Sequence, residues 1–346
     1  MSRLIGLIRR PVVWLPISAG LLAILTWRSR IWEAPERLRL ERPELLVLAV
    51  GLNGIVVVLW AMRSADLLAA AGRAVSIAPL VPMTAFANTI NNLTPGSLGE
   101  IARVWFLRVH HAVDVRTGTA IVLVERVVAL GYLGGSSAVL WSATLLGWPA
   151  AATVLLLAAI AALPWAVYRG GMRPSRIVVA LPVGRLLGHE RWARGGVHVV
   201  AVDTMVARIL ARPDKAARFA GSTALVFACY AGQLVLVAAS LGLPLSLPVA
   251  WGALGLGITA GVLSLLPFGL GSTDLVLVAL LGAVGVDAIT ATAVAFGYRL
   301  VATLPLGLLG VASYGWLSAR LPADGSWTTV LEIGPEIRAG EPAGEP

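Results

Sequence analysis

Long runs of apolar residues separated by short polar segments dominate the pattern along the chain. The clearest runs cover residues 11–27, 44–62, 117–146, 149–168, 217–241 and 289–317. A helix needs roughly 17 to 25 apolar residues to cross the hydrocarbon core of a bilayer, and each run reaches that length. The pattern therefore predicts about six membrane-spanning helices.

Two further apolar stretches, at 77–115 and 247–286, are interrupted near their middle by proline and glycine. The pieces on either side of each interruption are short for a membrane span. Irregular backbone at membrane depth persists only where it is buried in protein or lines a wet cavity. We therefore predict two broken, re-entrant helix pairs within an all-α, polytopic membrane fold.

The composition excludes a soluble domain and indicates how the chain is oriented. Of 346 residues, 58% are hydrophobic and 13% are charged, which is about half the charged fraction of ordinary soluble domains. The segment 169–218 holds ten of the 27 basic residues and three acids, and such basic loops stay on the cytoplasmic side. The net charge of +9 therefore reflects membrane topology and not a nucleic-acid partner. We predict a bacterial-type inner-membrane protein with both termini in the cytoplasm.

The sequence divides into a transmembrane domain, residues 1–318, and a tail, residues 319–346, whose Pro, Gly and Glu content predicts disorder. Within the basic loop, Met205 and Ile209 follow helical spacing, and Asp203 is predicted to face away from them. This amphipathic helix either lies on the inner leaflet or packs on the membrane spans.

A short motif occurs at both interruptions. Residues 95–100 read Pro-Gly-Ser-Leu-Gly-Glu, and residues 267–274 read Pro-Phe-Gly-Leu-Gly-Ser-Thr-Asp. Arg126 follows the first proline by 31 residues and Arg299 follows the second by 32, each inside a long apolar run. Two intervening spans put the two halves in opposite orientations, and inverted repeats with discontinuous helices are typical of transporters. We predict two related halves arranged as an inverted repeat.

The interruptions also predict a site for an anionic group. A helix that restarts after Gly99 or Gly271 directs free backbone N–H groups and a partial positive charge into the cavity. Arginines nearby add charge-assisted hydrogen bonds to a phosphate. The predicted substrate-binding residues are Asn92, Pro95, Gly96, Ser97, Gly99, Glu100, Arg103, Glu125, Arg126, Pro267, Gly269, Gly271, Ser272, Asp274 and Arg299.

Structural explanations exist for the acidic members of this set. Ser97 and Glu100 have the spacing of a capping box, and Asp274 falls in a first helical turn, where acids stabilise the helix dipole. Glu125 can pair with a neighbouring span. Ionisable groups inside spans are nevertheless usually functional, which favours a functional role for the two arginines of the long apolar runs.

Residues for covalent or metal chemistry are not apparent in the sequence. It has no Gly-rich phosphate loop, H-E-x-x-H motif or nucleophile elbow. Cys229 is the single cysteine, and the four histidines lack metal-ligand spacing. We predict no catalytic residues, no metal, no cofactor and no enzymatic activity.

The two interruptions and the arginines that follow them resemble the flippase-like transmembrane family. This family includes the membrane domain of lysylphosphatidylglycerol synthase and stand-alone homologues. The matching stretches are Asn92 to Arg103, Glu125-Arg126 and Leu266 to Arg299, and the resemblance extends over about residues 1–318. It implies an all-helical fold and a role in moving or accommodating anionic or lipid-linked molecules at the bilayer.

Two departures from the family pattern bear on the substrate. Phe268 stands where a glycine is expected after Pro267, and Asp274 stands where a glutamate is usual. Both are expected to narrow the cavity or to alter its substrate. The full-length synthases also carry a soluble aminoacyl-transferring domain after the membrane part, and we do not assign aminoacyl transfer to this chain.

These observations together predict a lipid flippase that moves an anionic phospholipid or lipid-linked molecule, with membrane lipids as its partners. Arg103, Arg126 and Arg299 would bind the headgroup. Glu100 and Asp274 would position the arginines or exchange protons. Two alternatives stay open: a proton-coupled transporter of a small soluble anion, and a non-transporting scaffold that docks through its basic loop. The sequence also leaves open a homo-oligomer or a membrane partner.

Overall fold

The computed structural model describes residues 11–33, 39–94, 98–170, 189–264, 266 and 269–319 of the chain. Within these ranges the regular structure is α-helical apart from one short 3₁₀ helix, Ile31–Glu33, and no strand is present. Four predicted site residues lie outside the described ranges: Pro95, Gly96, Ser97 and Pro267. The predicted tail from residue 320 onward also lies outside them, as does the middle of the basic loop, residues 171–188.

Eleven α-helices follow one another in the described ranges. They are α1 Pro11–Ser29, α2 Glu44–Ala70, α3 Ile77–Leu93, α4 Leu98–His111, α5 Val115–Leu146, α6 Ala150–Arg169, α7 His189–Leu210, α8 Pro213–Ser240, α9 Leu247–Leu263, α10 Ser272–Ala283 and α11 Ala288–Ser318. We name α2 to α5 the first half of the chain and α8 to α11 the second half. Corresponding helices have similar lengths, with 27, 17, 14 and 32 residues in the first half and 28, 17, 12 and 31 in the second.

Five helices, α2, α5, α6, α8 and α11, are long and apolar enough to cross a membrane. They coincide with five of the six predicted spans, and α1 covers the position of the sixth. The prediction of an all-α, polytopic fold is confirmed at this level. One boundary was predicted too short, because α2 continues to Ala70 and so includes Arg63 and Asp66.

The two longest helices, α5 and α11, begin with the same cap. Asp114 Oδ1 accepts a hydrogen bond from the Thr117 N–H at 2.8 Å. Asp287 Oδ1 accepts one from the Thr290 N–H at 3.1 Å. An aspartate at this position binds N–H groups that have no partner within the helix, and therefore fixes where the helix starts.

The two interrupted stretches form pairs of short helices, α3 with α4 and α9 with α10. Helices of 12 to 17 residues are about 18 to 25 Å long, which is less than the ~30 Å hydrocarbon core of a bilayer. The two members of each pair pack against each other. Both predicted broken helix pairs are therefore present at the predicted places.

Small residues let helices of opposite halves approach closely. Helix α3 packs on α11, α9 packs on α5, and α2 packs on α8. Gly310 of α11 lies against Thr89 of α3, whose hydroxyl donates to the Leu306 carbonyl at 3.1 Å. Gly255 of α9 lies against Ser137 of α5. Such small residues are typical of contacts between membrane helices, and here they join the two halves around a shared centre.

The predicted amphipathic helix is α7, and it packs on the bundle. Met205 and Ile209 are buried in a hydrophobic cluster with residues of α2, α4 and α5. Of the two placements predicted for this helix, the structure shows the packed one. The prediction that Asp203 faces away is wrong, because α7 contacts α2, α5 and α8 and this side chain is buried as well.

Candidate functional site

A cavity of about 370 Å³ lies between the two halves. All eight helices of the two halves, α2 to α5 and α8 to α11, contribute to its wall. Its charged lining consists of Arg63, Glu100, Arg103, Glu125, Arg126, Asp274 and Arg299. A concave site among apolar helices that gathers several charged groups is a typical place for a polar ligand to bind.

The first acid–arginine pair joins α4 to α5. Glu100, in the first turn of α4, accepts a hydrogen bond from Arg126 Nε at 2.8 Å, and Arg126 Nη2 lies 2.6 Å from the same carboxylate oxygen. Asn91 Nδ2 of α3 donates to this oxygen at 2.9 Å. The Arg126 side chain is 37% exposed, so it remains open to the cavity while Glu100 holds it.

A second layer of charge is buried behind this pair. Arg103 Nη1 lies 2.6 Å from Glu125 Oε2 and 3.6 Å from Glu100 Oε2. Ser64 of α2 donates to Glu125 Oε1 at 2.9 Å and also accepts from Arg103 Nη2. Arg103 and Glu125 are both buried. The protein itself therefore supplies most of the hydrogen-bond partners of Arg103.

Arg63 lies beside this buried layer. Its Nη2 donates to the backbone carbonyl of Glu125 at 3.1 Å, and its guanidinium carbon lies 5.1 Å from the ring centre of Phe219. Its Nε has no hydrogen-bond partner in the part of the chain that the structure describes.

The second half forms a single acid–arginine pair. Asp274, in the first turn of α10, lies with Oδ1 2.6 Å from Arg299 Nε of α11. Arg299 Nη2 also donates to the Gly269 carbonyl at 3.1 Å. The second carboxylate oxygen of Asp274 accepts from the Gly271 N–H at 2.9 Å. Asp274 is therefore both a helix cap, as one explanation predicted, and the partner of the arginine in the span.

Most of the predicted site residues that the structure describes come together at this cavity. Those that line it are Asn92, Glu100, Arg103, Glu125, Arg126, Gly269, Asp274 and Arg299. Those that do not line it are Gly99, Gly271 and Ser272. The predicted residues Pro95, Gly96, Ser97 and Pro267 belong to the undescribed segments.

The three predicted residues outside the cavity wall shape the interruptions. A side chain at Gly99 would overlap the carbonyl oxygen of Ala87, so glycine allows α4 to touch α3. Gly271 has a φ of 82°, which glycine adopts without strain. The Ser272 hydroxyl lies 2.9 Å from the Ser264 hydroxyl and stabilises the same turn. These residues therefore position the site without lining it.

Sequence reasoning missed two lining residues that differ between the halves. Arg63 was overlooked because the predicted span ended at residue 62, and the signal was the apolar helical pattern that continues to Ala70. Tyr298 directly precedes Arg299, as Glu125 precedes Arg126, and it too lines the cavity. Placing the two motifs in register would have drawn attention to this position.

Metal ligands form no cluster in the described ranges, where no group of three or more His, Cys, Asp or Glu side chains is arranged to hold an ion. The prediction that the chain uses no cofactor stays a prediction.

The fold and the cavity define a multi-pass, α-helical membrane protein with a charged internal site. The family described as the lysylphosphatidylglycerol synthase TM region matches residues 12–310, a range that contains every described residue of the cavity. The chain belongs to this family, which confirms the resemblance inferred from its two interruptions. No curated protein matches the chain.

Proposed function

We propose that this protein is a lipid flippase that moves an anionic phospholipid or lipid-linked molecule across the cytoplasmic membrane. The observation that carries the proposal is the cavity between the halves, which Arg126 of α5 and Arg299 of α11 both line among apolar helices. Membership of a family named after a lipid synthase supports lipid as the substrate class. The proposal includes membrane lipids as partners, and it assigns no enzymatic activity, no cofactor and no nucleic-acid partner.

The headgroup is proposed to enter the cavity while its acyl chains stay in the bilayer. On α5, Val127 directly follows Arg126 and is 67% exposed. On α11, Leu300 directly follows Arg299 and is 65% exposed. Polar groups of membrane helices face the bundle interior while apolar neighbours face lipid, which supports a short path from the acyl region to each arginine.

Arg126 and Arg299 are the proposed headgroup ligands, because both line the cavity and each guanidinium presents five N–H donors in a fixed fork. Glu100 and Asp274 hold these arginines in place and are the groups available for proton exchange. Arg103 takes a narrower role than the sequence predicted, because Glu125 and Ser64 already engage it. It supports the site from behind.

We also propose that the halves form an inverted repeat, with α3–α4 and α9–α10 re-entrant from opposite faces. Matched helix lengths and matched aspartate caps support this relation. Asp114 precedes Arg126 by 12 residues, as Asp287 precedes Arg299. Rocking of one half against the other would expose the cavity to each side in turn. The basic segment 169–218 supports cytoplasmic termini.

The test is headgroup accessibility in proteoliposomes. Purified protein is reconstituted with fluorescent anionic or zwitterionic lipids, and an impermeant reductant bleaches the dye that it reaches. We expect protein-dependent bleaching beyond the outer leaflet, lost in Arg126→Gln and in Arg299→Gln. The matched controls are Val127→Ala and Leu300→Ala, which change the exposed neighbours of the two arginines and should keep the activity.

Bleaching confined to the outer leaflet for every lipid would contradict the proposal. A second candidate function is proton-coupled transport of a small soluble anion, favoured by the presence of Glu100 and Asp274 at the same cavity as the arginines. Uptake of labelled inorganic phosphate driven by a proton gradient, without movement of any lipid, would select this second candidate.

A further inference from the structure

Among the residues that the structure describes, the charged lining of the cavity carries one positive charge in excess. Its arginines are Arg63, Arg103, Arg126 and Arg299, and its acids are Glu100, Glu125 and Asp274. Each acid lies within ion-pair distance of an arginine other than Arg63. Among the described residues, no carboxylate lies within that distance of the Arg63 guanidinium. The excess charge therefore belongs to Arg63.

The surroundings of Arg63 stabilise its charge without neutralising it. The side chain is about 5% exposed, and among the described residues its direct contacts are the Glu125 backbone carbonyl and the face of the Phe219 ring, while the Glu125 carboxylate is paired with Arg103. Both contacts attract a cation, but neither supplies a negative charge. A buried charge without a counterion is unfavourable. The filled cavity reaches neutrality only when the ligand contributes one net negative charge.

We propose that the cavity selects a phosphodiester with one net negative charge, and that Arg63 supplies the charge which this ligand neutralises. The inference rests on the proposed function for its site and narrows the substrate class. A zwitterionic headgroup would bring an ammonium group to a lining whose described carboxylates are already paired. A headgroup with two negative charges would leave one of them uncompensated. The phosphodiester can belong to a lipid or to a soluble molecule.

Four proteins test this selectivity. Arg63→Gln removes the excess charge and keeps a polar side chain. Glutamine also occupies the matching position of the second half, because Gln233 lies seven residues before the end of α8 and Arg63 lies seven residues before the end of α2. Arg63→Lys keeps the charge. Arg169→Gln removes an exposed arginine at the end of α6 and serves as the matched control. The wild-type chain is the reference.

The first measurement is the ratio of phosphatidylglycerol to phosphatidylethanolamine translocated in proteoliposomes. A ratio taken within one preparation does not depend on how much of the protein is folded. We expect the wild type, Arg63→Lys and Arg169→Gln to prefer phosphatidylglycerol. Arg63→Gln should lower the ratio by roughly 30-fold or more, since removing one partner of a buried charge interaction has an effect of that size. An unchanged ratio in Arg63→Gln would overturn the inference.

The second measurement separates a soluble source from a lipid source. Cys229 is the single cysteine and is buried, so its labelling by a thiol-reactive dye on heating reports unfolding. Glycerophosphoglycerol should protect the wild type more than glycerophosphoethanolamine does, and Arg63→Gln should lose this difference. That result without any lipid translocation would keep the charge selectivity, assign it to a soluble phosphodiester and reject the flippase. No preference in the wild type by either measurement would overturn the inference.

Discussion

The first half of the chain brings two acids and three arginines to the cavity, whereas the second half brings one acid and one arginine. The acid–arginine pairs Glu100–Arg126 and Asp274–Arg299 are common to both halves, and each joins a short helix to the long helix that follows it. The two halves therefore share the pair at the centre of the proposed site and differ in what surrounds it.

Matching positions show how the difference arises. Three residues after the acid, the first half has Arg103 and the second has Leu277. Directly before the arginine, the first half has Glu125 and the second has Tyr298. The second half thus replaces a buried ion pair with a leucine and a tyrosine in the same fold. The comparison teaches that the buried layer is separable from the shared pair, and that its asymmetry can set selectivity.

The largest effect is expected from breaking the buried layer of the first half. Arg103→Leu leaves the buried Glu125 carboxylate with Ser64 as its remaining hydrogen-bond partner among the described residues, and should lower the free energy of unfolding by about 3 to 5 kcal/mol. Adding Glu125→Tyr copies the second half and should restore part of the loss, because the Glu125 carboxylate is then no longer present as a buried charge without its arginine partner. Labelling of Cys229 during heating in detergent measures both variants. A double variant less stable than Arg103→Leu would show that the halves do not tolerate the same lining.

The next largest loss of stability is expected from breaking the two shared pairs, Glu100–Arg126 and Asp274–Arg299. Arg299→Gln leaves the Asp274 carboxylate with the Gly271 N–H as its remaining hydrogen-bond donor among the described residues, and should lower the free energy of unfolding by about 2 to 3 kcal/mol. Arg126→Gln should lower it by less than about 1 kcal/mol, because Arg103 and Asn91 still contact Glu100. Both should abolish translocation. Equal losses in Arg126→Gln and Arg299→Gln would mean that the additional charged residues of the first half do not stabilise the Glu100 carboxylate.

A smaller effect is expected where α2 meets α8. Asp66 is fully buried and accepts hydrogen bonds from Arg218 Nε at 2.8 and 2.9 Å, whereas Leu236 stands at the matching position of the second half. Arg218→Gln should lower the free energy of unfolding by about 1 to 2 kcal/mol, since the arginine side chain is partly exposed. The double variant with Asp66→Leu should be closer to the wild type. Thermal unfolding of the three proteins decides this.

The smallest effect is expected to be equal in the two halves. Asp114→Ala and Asp287→Ala each remove one helix cap and should each lower the free energy of unfolding by about 1 kcal/mol. Because both caps have the same geometry, a clear difference between the two variants would show that one half depends more on its long helix. Chemical denaturation in detergent, followed by circular dichroism, provides the measurement.

Local signals in the sequence predicted the helices and the interruptions, but not the partners of the side chains. Runs of apolar residues and clusters of proline and glycine depend only on neighbours along the chain, so the long helices and both broken pairs were found. The buried position of Asp203 and the role of Arg63 depend on which helices pack together. Those helices are far apart in the sequence, and the residues adjacent to Asp203 or Arg63 do not indicate which of them will meet. Gly99 was predicted as a ligand-binding residue, whereas its role comes from contact with α3.

The equal spacing from cap to arginine has a consequence for the thickness of the surrounding bilayer. Twelve residues of helix correspond to about 18 Å. In the proposed inverted repeat the two caps would lie at opposite surfaces, and the two arginines would share one depth when the caps are about 36 Å apart. That separation lies between the ~30 Å of the hydrocarbon core and the ~40–45 Å of the whole bilayer. In thinner or thicker membranes the two guanidinium groups would lie at different depths along the membrane normal. Translocation measured across lipids of increasing acyl-chain length should therefore rise to an optimum and fall again. The optimum is expected at the bilayer thickness that brings both guanidinium groups to the same depth.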